Sequence, residues 1–209
     1  MEDIAELKKW VDNKIEMDLI RECAPTLAGL KTANLFNYKF DTLANMHQEL
    51  ARINELLNVK GVYVKVLRKS MTRALLYVYR PVRLAKDLSN ELAMKILKKE
   101  GYGDYLRRFS PKECNMLDIC ERAIDYLTRR INESACFPHE IGLFLGYPVE
   151  DVKGFIEQKG QNCKCCGFWK VYGDEESSKL KFEQYKKCIE VYKKVFLQGR
   201  SLRQLTVSA

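Results

Sequence analysis

Two stretches constrain this chain more than any others: Gly61-Val-Tyr-Val-Lys-Val-Leu67 and Arg73-Ala-Leu-Leu-Tyr-Val-Tyr79. Both are β-branched and aromatic with period-two alternation, and the polar connection Arg68-Lys-Ser-Met-Thr72 separates them. The pattern predicts an antiparallel hairpin with Val62, Val64 and Val66 on one face and Tyr63, Lys65 and Leu67 on the other. The alternation predicts a sheet covered on one side and partly wet on the other. A two-stranded hairpin is marginal in water. The rest of the chain must therefore supply helices and at least one further strand.

Helical periodicity is abundant on both sides of the hairpin. Residues 3–22 carry Ile4, Leu7, Val11, Ile15 and Leu19 at helical spacing, and Thr42 to Asn58 carries Leu43, Met46, Leu50, Ile53 and Leu57 along one face. Pro81 opens a helix that runs to Lys99 and stops at Gly101. Ser110-Pro-Lys-Glu113 combines a capping Ser, a first-turn Pro and a Glu three residues after the cap. Behind it runs the stripe Leu117, Cys120, Ile124, Leu127 and Ile131, in which Cys114 and Cys120 read as small core residues. Glu140–Leu145 predicts a short helix, Pro148–Gly160 another and Glu175–Leu197 a long one; Ser201–Val207 predicts a final turn. Residues 168–172, Phe-Trp-Lys-Val-Tyr, predict a strand paired with the hairpin. Ala33–Phe40 reads equally as a strand or a helical turn. With no internal repeat or linker, residues 1–209 form one mostly helical α+β domain with a small three- or four-stranded antiparallel sheet built from 62–67, 73–79 and 168–172.

No apolar run approaches the roughly 20 residues needed to span a bilayer. The start, Met1-Glu-Asp-Ile-Ala-Glu6, is acidic and lacks the features of a signal peptide. The expected setting is the cytoplasm, where the eight cysteines are thiols or metal ligands and not a disulfide framework. A net charge of +8 attracts anions: nucleic acid, nucleotides, phosphorylated metabolites or an acidic partner. Lys60–Lys86 is the densest basic stretch and the candidate surface for such a partner.

The segment Cys136–Asp174 holds six of the eleven glycines and four of the eight cysteines, a density that points to a shaped site. Cys163, Cys165 and Cys166 offer three thiols for a soft metal or for thiol chemistry, with Cys136 and His139 upstream and Lys164 placed to lower a thiol pKa. Their spacing is not that of a paired structural zinc site, so a cysteine-tolerant turn in a reducing compartment is the competing account. In Phe137-Pro-His-Glu140, His139 is a candidate general base or ligand with Glu140 beside it for orientation; the alternative is a cap. Glu140–Ile156 has the lengths of a helix-turn-helix, yet its second helix begins Val149-Glu-Asp151, which repels phosphate, so nucleic acid is a disfavoured partner. In the Pro25–Thr32 loop, Gly29 permits close approach, Thr26 and Thr32 offer hydroxyls and Lys31 offers a charge, without any nucleotide-binding fingerprint.

Cys23-Ala-Pro-Thr-Leu-Ala-Gly-Leu-Lys31, Phe137-Pro-His-Glu-Ile-Gly-Leu-Phe-Leu-Gly-Tyr-Pro148, Trp169-Lys-Val-Tyr-Gly-Asp174 and Gly199-Arg-Ser-Leu-Arg-Gln-Leu-Thr206 resemble a family of uncharacterised proteins of anaerobic Gram-positive bacteria, a domain of unknown function. The resemblance covers nearly the whole chain and implies one bacterial domain of about this length. It implies no activity, cofactor or catalytic residue.

The leading expectation is a pocket for a small anionic ligand or cofactor where the Pro25–Thr32 loop meets the His139 turn and the Trp169 strand. Lys31 and Arg80 would hold the anion, with Thr26 and Gly29 beside them. His139 would act as acid, base or ligand, and Trp169 or Tyr172 would form an aromatic wall. The identity of any cofactor stays open. The competing expectations are a metal or thiol-redox centre at Cys163, Cys165 and Cys166, and a basic interaction module at Lys60–Lys86.

Overall fold

The computed structural model describes residues 14–103, 116–134 and 136–208. The Ser110–Glu113 helix start, Cys114 and the first part of the 3–22 helix lie outside the described residues.

In chain order, α1 (Lys14–Leu27) leads to β1 (Ala33–Lys39), then α2 (Leu43–Asn58), β2 (Tyr63–Lys69) and β3 (Arg73–Tyr79). Next come α3 (Pro81–Leu88) and α4 (Glu91–Leu97), which widens into a π-turn over Lys98–Tyr102, and then α5 (Met116–Glu133). The last part holds α6 (Ile141–Phe144), α7 (Val149–Glu157), the short strands β4 (Cys165–Cys166) and β5 (Lys170–Val171), α8 (Glu175–Leu197) and α9 (Leu202–Leu205). The architecture is α+β, mostly helical, and no described helix is long and apolar enough to cross a membrane.

Several boundaries follow from caps. Thr42 accepts from the Asn45 amide, Asp174 from that of Ser177, and Ser201 forms a reciprocal capping box with Gln204. The helix expected over 81–99 breaks in two because Asn90 is itself a cap, accepting from the amides of Leu92 (2.9 Å) and Ala93 (3.2 Å). In contrast, α1 runs past Glu22 and through Pro25. The Pro25 carbonyl accepts from the amides of Leu30 (2.8 Å) and Lys31 (3.1 Å), and Gly29, at φ +72°, turns the chain out of the helix.

The sheet order is β1-β3-β2, antiparallel throughout, so the undecided 33–40 segment is the third strand. Ala74 to Tyr79 of the central strand are all buried. Leu75, Tyr77 and Tyr79 face a core made with α3, α4, α5 and α6; Ala74, Leu76 and Val78 face a second made with α1, α2 and α9. The expectation of one wet face is thus corrected: helices cover both sides. Each fully buried Leu or Val on this strand contributes about 1.5–3 kcal/mol. The tyrosines keep polar partners, Tyr77 donating to the Phe144 carbonyl (2.6 Å) and Tyr79 to Glu121 (2.5 Å).

Residues 168–172 do not join this sheet, which is a second correction. Lys170–Val171 pairs with Cys165–Cys166, through Cys165↔Val171 and Cys166↔Lys170. The free edge of β2 is occupied by side chains: Asn54 both donates to and accepts from Val64, and Asn132 donates to the Leu67 carbonyl. The separate β4–β5 hairpin nucleates a third small core of Trp169, Val171, Phe182 and Tyr185 against α8.

Candidate functional site

The Phe137–Glu140 turn is fixed from below. Glu140 is 1% exposed and points into the core, where Tyr102 donates to it (3.0 Å) and Arg130 forms an ion pair at 3.0 Å. Burial raises the Glu140 pKa, with Arg130 opposing the rise. The expectation that Glu140 orients His139 is corrected: the two side chains go opposite ways. Glu140 anchors the turn, and His139 is left exposed with its ring edge-on to Phe155, centroids 5.1 Å apart.

A second carboxylate builds the facing wall. Asp151, in the first turn of α7, is 2% exposed. Its Oδ2 accepts from the Trp169 indole N–H (2.7 Å), and its Oδ1 accepts from the amides of Tyr172 and Gly173 (both 2.7 Å). One buried side chain therefore fixes both the indole and the end of β5, with three charge-assisted bonds. Two glycines bring the pieces this close. A Cβ on Gly142 would lie 2.7 Å from Val152, and one on Gly154 would lie 2.5 Å from Tyr172. The N-terminal turn of α7 is thus packed against β5, so the helix-turn-helix lengths do not present it as a free recognition helix.

Between these walls lies a cleft of about 360 Å³. Ile141 and Val152 form its inner surface, Phe155, Tyr147 and Trp169 its aromatic sides, and His139, Cys166 and Lys170 contribute polar groups. The Tyr147 ring stacks on the indole of Trp169 at 5.0 Å, and Phe182 meets the same indole edge-on at 4.5 Å. His139 and Trp169, singled out from the sequence, do share this cleft.

The other expected ligand residues lie elsewhere. Arg80 is 3% exposed and donates to the carbonyls of Thr26 (2.7 Å), Leu27 (2.8 Å) and Val207 (2.7 Å), closing the C-terminus of α1 against the end of the chain. Gly29 lies over its guanidinium. Thr26 donates to the Asn34 amide oxygen (3.1 Å). Lys31 is 4% exposed, donates to the Ala33 carbonyl and to Asn34 Oδ1 (3.1 Å), and forms no ion pair among the described residues. Its ammonium sits 5.1 Å from the centroid of the Tyr147 ring, and burial pushes its pKa down to about 7. Thr26, Gly29, Lys31 and Arg80 are therefore committed to the α1 terminus, and the Tyr147 ring, over the Lys31 ammonium and stacked on Trp169, connects them to the cleft. Tyr172 packs over Gly154 and does not line the cleft; its hydroxyl is buried without a hydrogen-bond partner among the described residues.

The cysteines diverge because neighbours on a strand point to opposite faces. Cys166 shares a face with Lys170 and lines the cleft, whereas Cys165 lies with Val171 against the third core. Desolvation first, and then the Glu175 carboxylate, raise the Cys165 pKa. Lys164 does not serve as the activating cation; it donates to the Gly173 carbonyl at 2.6 Å. Among the described residues no group of three or more His, Cys, Asp or Glu side chains is placed to hold a metal ion. In the basic stretch, Lys65 pairs with Glu121 and Asp125, and Arg80 is internal, leaving Arg68, Lys69, Arg73, Arg83 and Lys86 exposed.

Tyr147, Asp151 and Phe155 join the site without having been singled out by their sequence. The available signal was the Gly-Tyr-Pro turn and an acidic pair at a helix start, features that local capping explains equally well.

A family model described as a protein of unknown function, DUF3793, matches residues 19–206. No curated protein and no solved structure matches the chain.

Proposed function

We propose a function for this chain, which belongs to the DUF3793 family of proteins of unknown function: it binds a flat, largely apolar ligand carrying an anionic group, in the cleft between α6–α7 and β4–β5. One observation carries the reading, the aromatic-sided cleft of about 360 Å³ with His139 in its wall. Ligand sites are typically concave, mostly apolar and supplied with a few convergent polar groups. Tyr147, Phe155 and Trp169 offer ring faces and edges to a planar molecule. His139 offers an exchangeable proton. Lys170 donates to the Gly160 carbonyl (2.8 Å) and keeps further N–H bonds for an anion. The net charge of +8 draws anions toward the protein. A cytoplasmic, bacterial setting belongs to the same proposal. The anion site is thereby moved from Lys31 and Arg80, which are buried and bonded to the chain's own carbonyl oxygens, to His139 and Lys170.

The test uses 8-anilinonaphthalene-1-sulfonate, a flat aromatic anion, as the probe. In a Trp10→Phe background, Trp169 is the one tryptophan left in the chain. We expect saturable one-to-one binding with energy transfer from Trp169, weakened about tenfold by Phe155→Ala or by Cys166→Phe, a loss of about 1.4 kcal/mol. Binding that neither substitution changes sinks the proposal.

A further inference from the structure

Lys31 is the one described lysine that is buried. Charged groups facing it would be expected if it were structural, yet the surrounding elements supply almost none. From α1 comes the Cys23 thiol, itself fully buried and held neutral by desolvation. From β1 come the Ala33 carbonyl and the Asn34 amide oxygen. From the turn between α6 and α7 comes the face of Tyr147, whose own titratable neighbour is Tyr185 of α8. Beside it, the Asp87 carboxylate of α3 accepts from the Thr32 hydroxyl and forms no ion pair with Lys31. A buried ammonium in such a setting keeps its proton by a narrow margin. What it does touch is the cleft: the Tyr147 ring carries the Lys31 contact at 5.1 Å and the Trp169 stack at 5.0 Å from the same centroid.

We propose that Lys31 is a proton switch on the wall of the cleft: its ammonium holds the Tyr147 ring against Trp169, and loss of its proton releases that hold and weakens anion binding in the cleft. When the amine is neutral, its bonds to Ala33 and Asn34 survive, because they need only N–H donors. The attraction to the ring quadrupole does not survive, because it needs the charge. A ligand anion stacked beyond Tyr147 also lies within reach of that charge across a low-dielectric gap, so binding and protonation favour each other. The binding half of this inference rests on the ligand reading above; the switch itself does not.

The test therefore begins without ligand. In the Trp10→Phe background, Trp169 emission is titrated between about pH 5.5 and 9, a range that spans the ordinary histidine pKa. We expect one transition centred near pH 7, where burial places the Lys31 pKa. It should persist in His139→Gln and vanish in Lys31→Met, with circular dichroism confirming that the variant is folded. A transition that vanishes in His139→Gln and survives Lys31→Met overturns the proposal, as does a flat wild-type titration. Should Lys31→Met fail to fold, the lysine side-chain resonances of the wild type decide: a Lys31 midpoint near 7 that tracks Trp169 emission supports the switch, and one above 9 overturns it. With the sulfonate probe, affinity should fall about three- to tenfold across the same transition and stay level in Lys31→Met. Absence of probe binding with the ligand-free transition intact would fault the ligand reading alone.

Discussion

The C-terminus of α1 and the cleft beside α7 look alike on paper. Each gathers glycine, proline and basic side chains within one stretch of chain. In three dimensions they differ in where the hydrogen bonds go. Around α1, Arg80, Thr26 and Lys31 turn inward and satisfy carbonyls and one amide, so the chain itself is their ligand. Around α7, Asp151 satisfies the backbone and indole N–H groups, and that leaves His139, Cys166 and the rings of Phe155 and Trp169 facing an open volume. A site becomes available to a partner when another residue has already met the fold's own demands. Polar density alone does not distinguish the two cases.

The largest effect expected from breaking this contrast is at Asp151. Asp151→Ala leaves three N–H groups without their acceptor and should destabilise by about 3–5 kcal/mol in urea unfolding. A loss below about 1 kcal/mol would mean that the β5 wall is held by packing instead. Arg80→Met should cost about 2–4 kcal/mol through its three lost carbonyl bonds and leave probe affinity unchanged. Weaker probe binding at full stability would instead return Arg80 to the anion site.

Lys31 links the two regions and has a signature in pH. Its folded pKa, about 7, lies below the ordinary lysine value, so between these values the unfolded chain binds more protons. Stability should therefore rise with pH above neutrality, by up to about 2 kcal/mol between pH 7 and 9, and denaturation of Lys31→Met should lack this rise. Identical slopes in the two proteins would mean that the amine is not desolvated. The smallest effect is at His139. His139→Ala should change stability by less than about 0.5 kcal/mol and weaken the sulfonate probe about threefold. The reverse pattern would make His139 a cap.

Much of the fold was legible because its signals are local. Periodicity placed the helices, and the β-branched runs placed the hairpin. Thr42, Asp174 and Ser201 cap their helices through amides three positions on, so those boundaries too are set locally. Asn90 was overlooked because a cap inside a periodic stretch does not disturb the stripe. The strand at Lys170–Val171 pairs with Cys165–Cys166 and not with the hairpin, and nothing in its own residues reports that Asn54 and Asn132 occupy the edge of β2. Of the candidate site, His139 and Trp169 were found, but Tyr147 and Phe155 read as ordinary apolar positions until their neighbours were known.

The amino-acid order thus determined the α+β class, the hairpin and the concentration of shaping residues in Cys136–Asp174, since each depends on neighbours a few positions away. Tertiary structure decided which charges were free and which were bound. Trp169 finds Asp151 across 18 positions, and Arg80 finds Thr26 across 54 and Val207 across 127. The strength of a buried hydrogen bond and the pKa of a buried amine depend on what surrounds them in space, and those surroundings exist only once the chain has closed on itself.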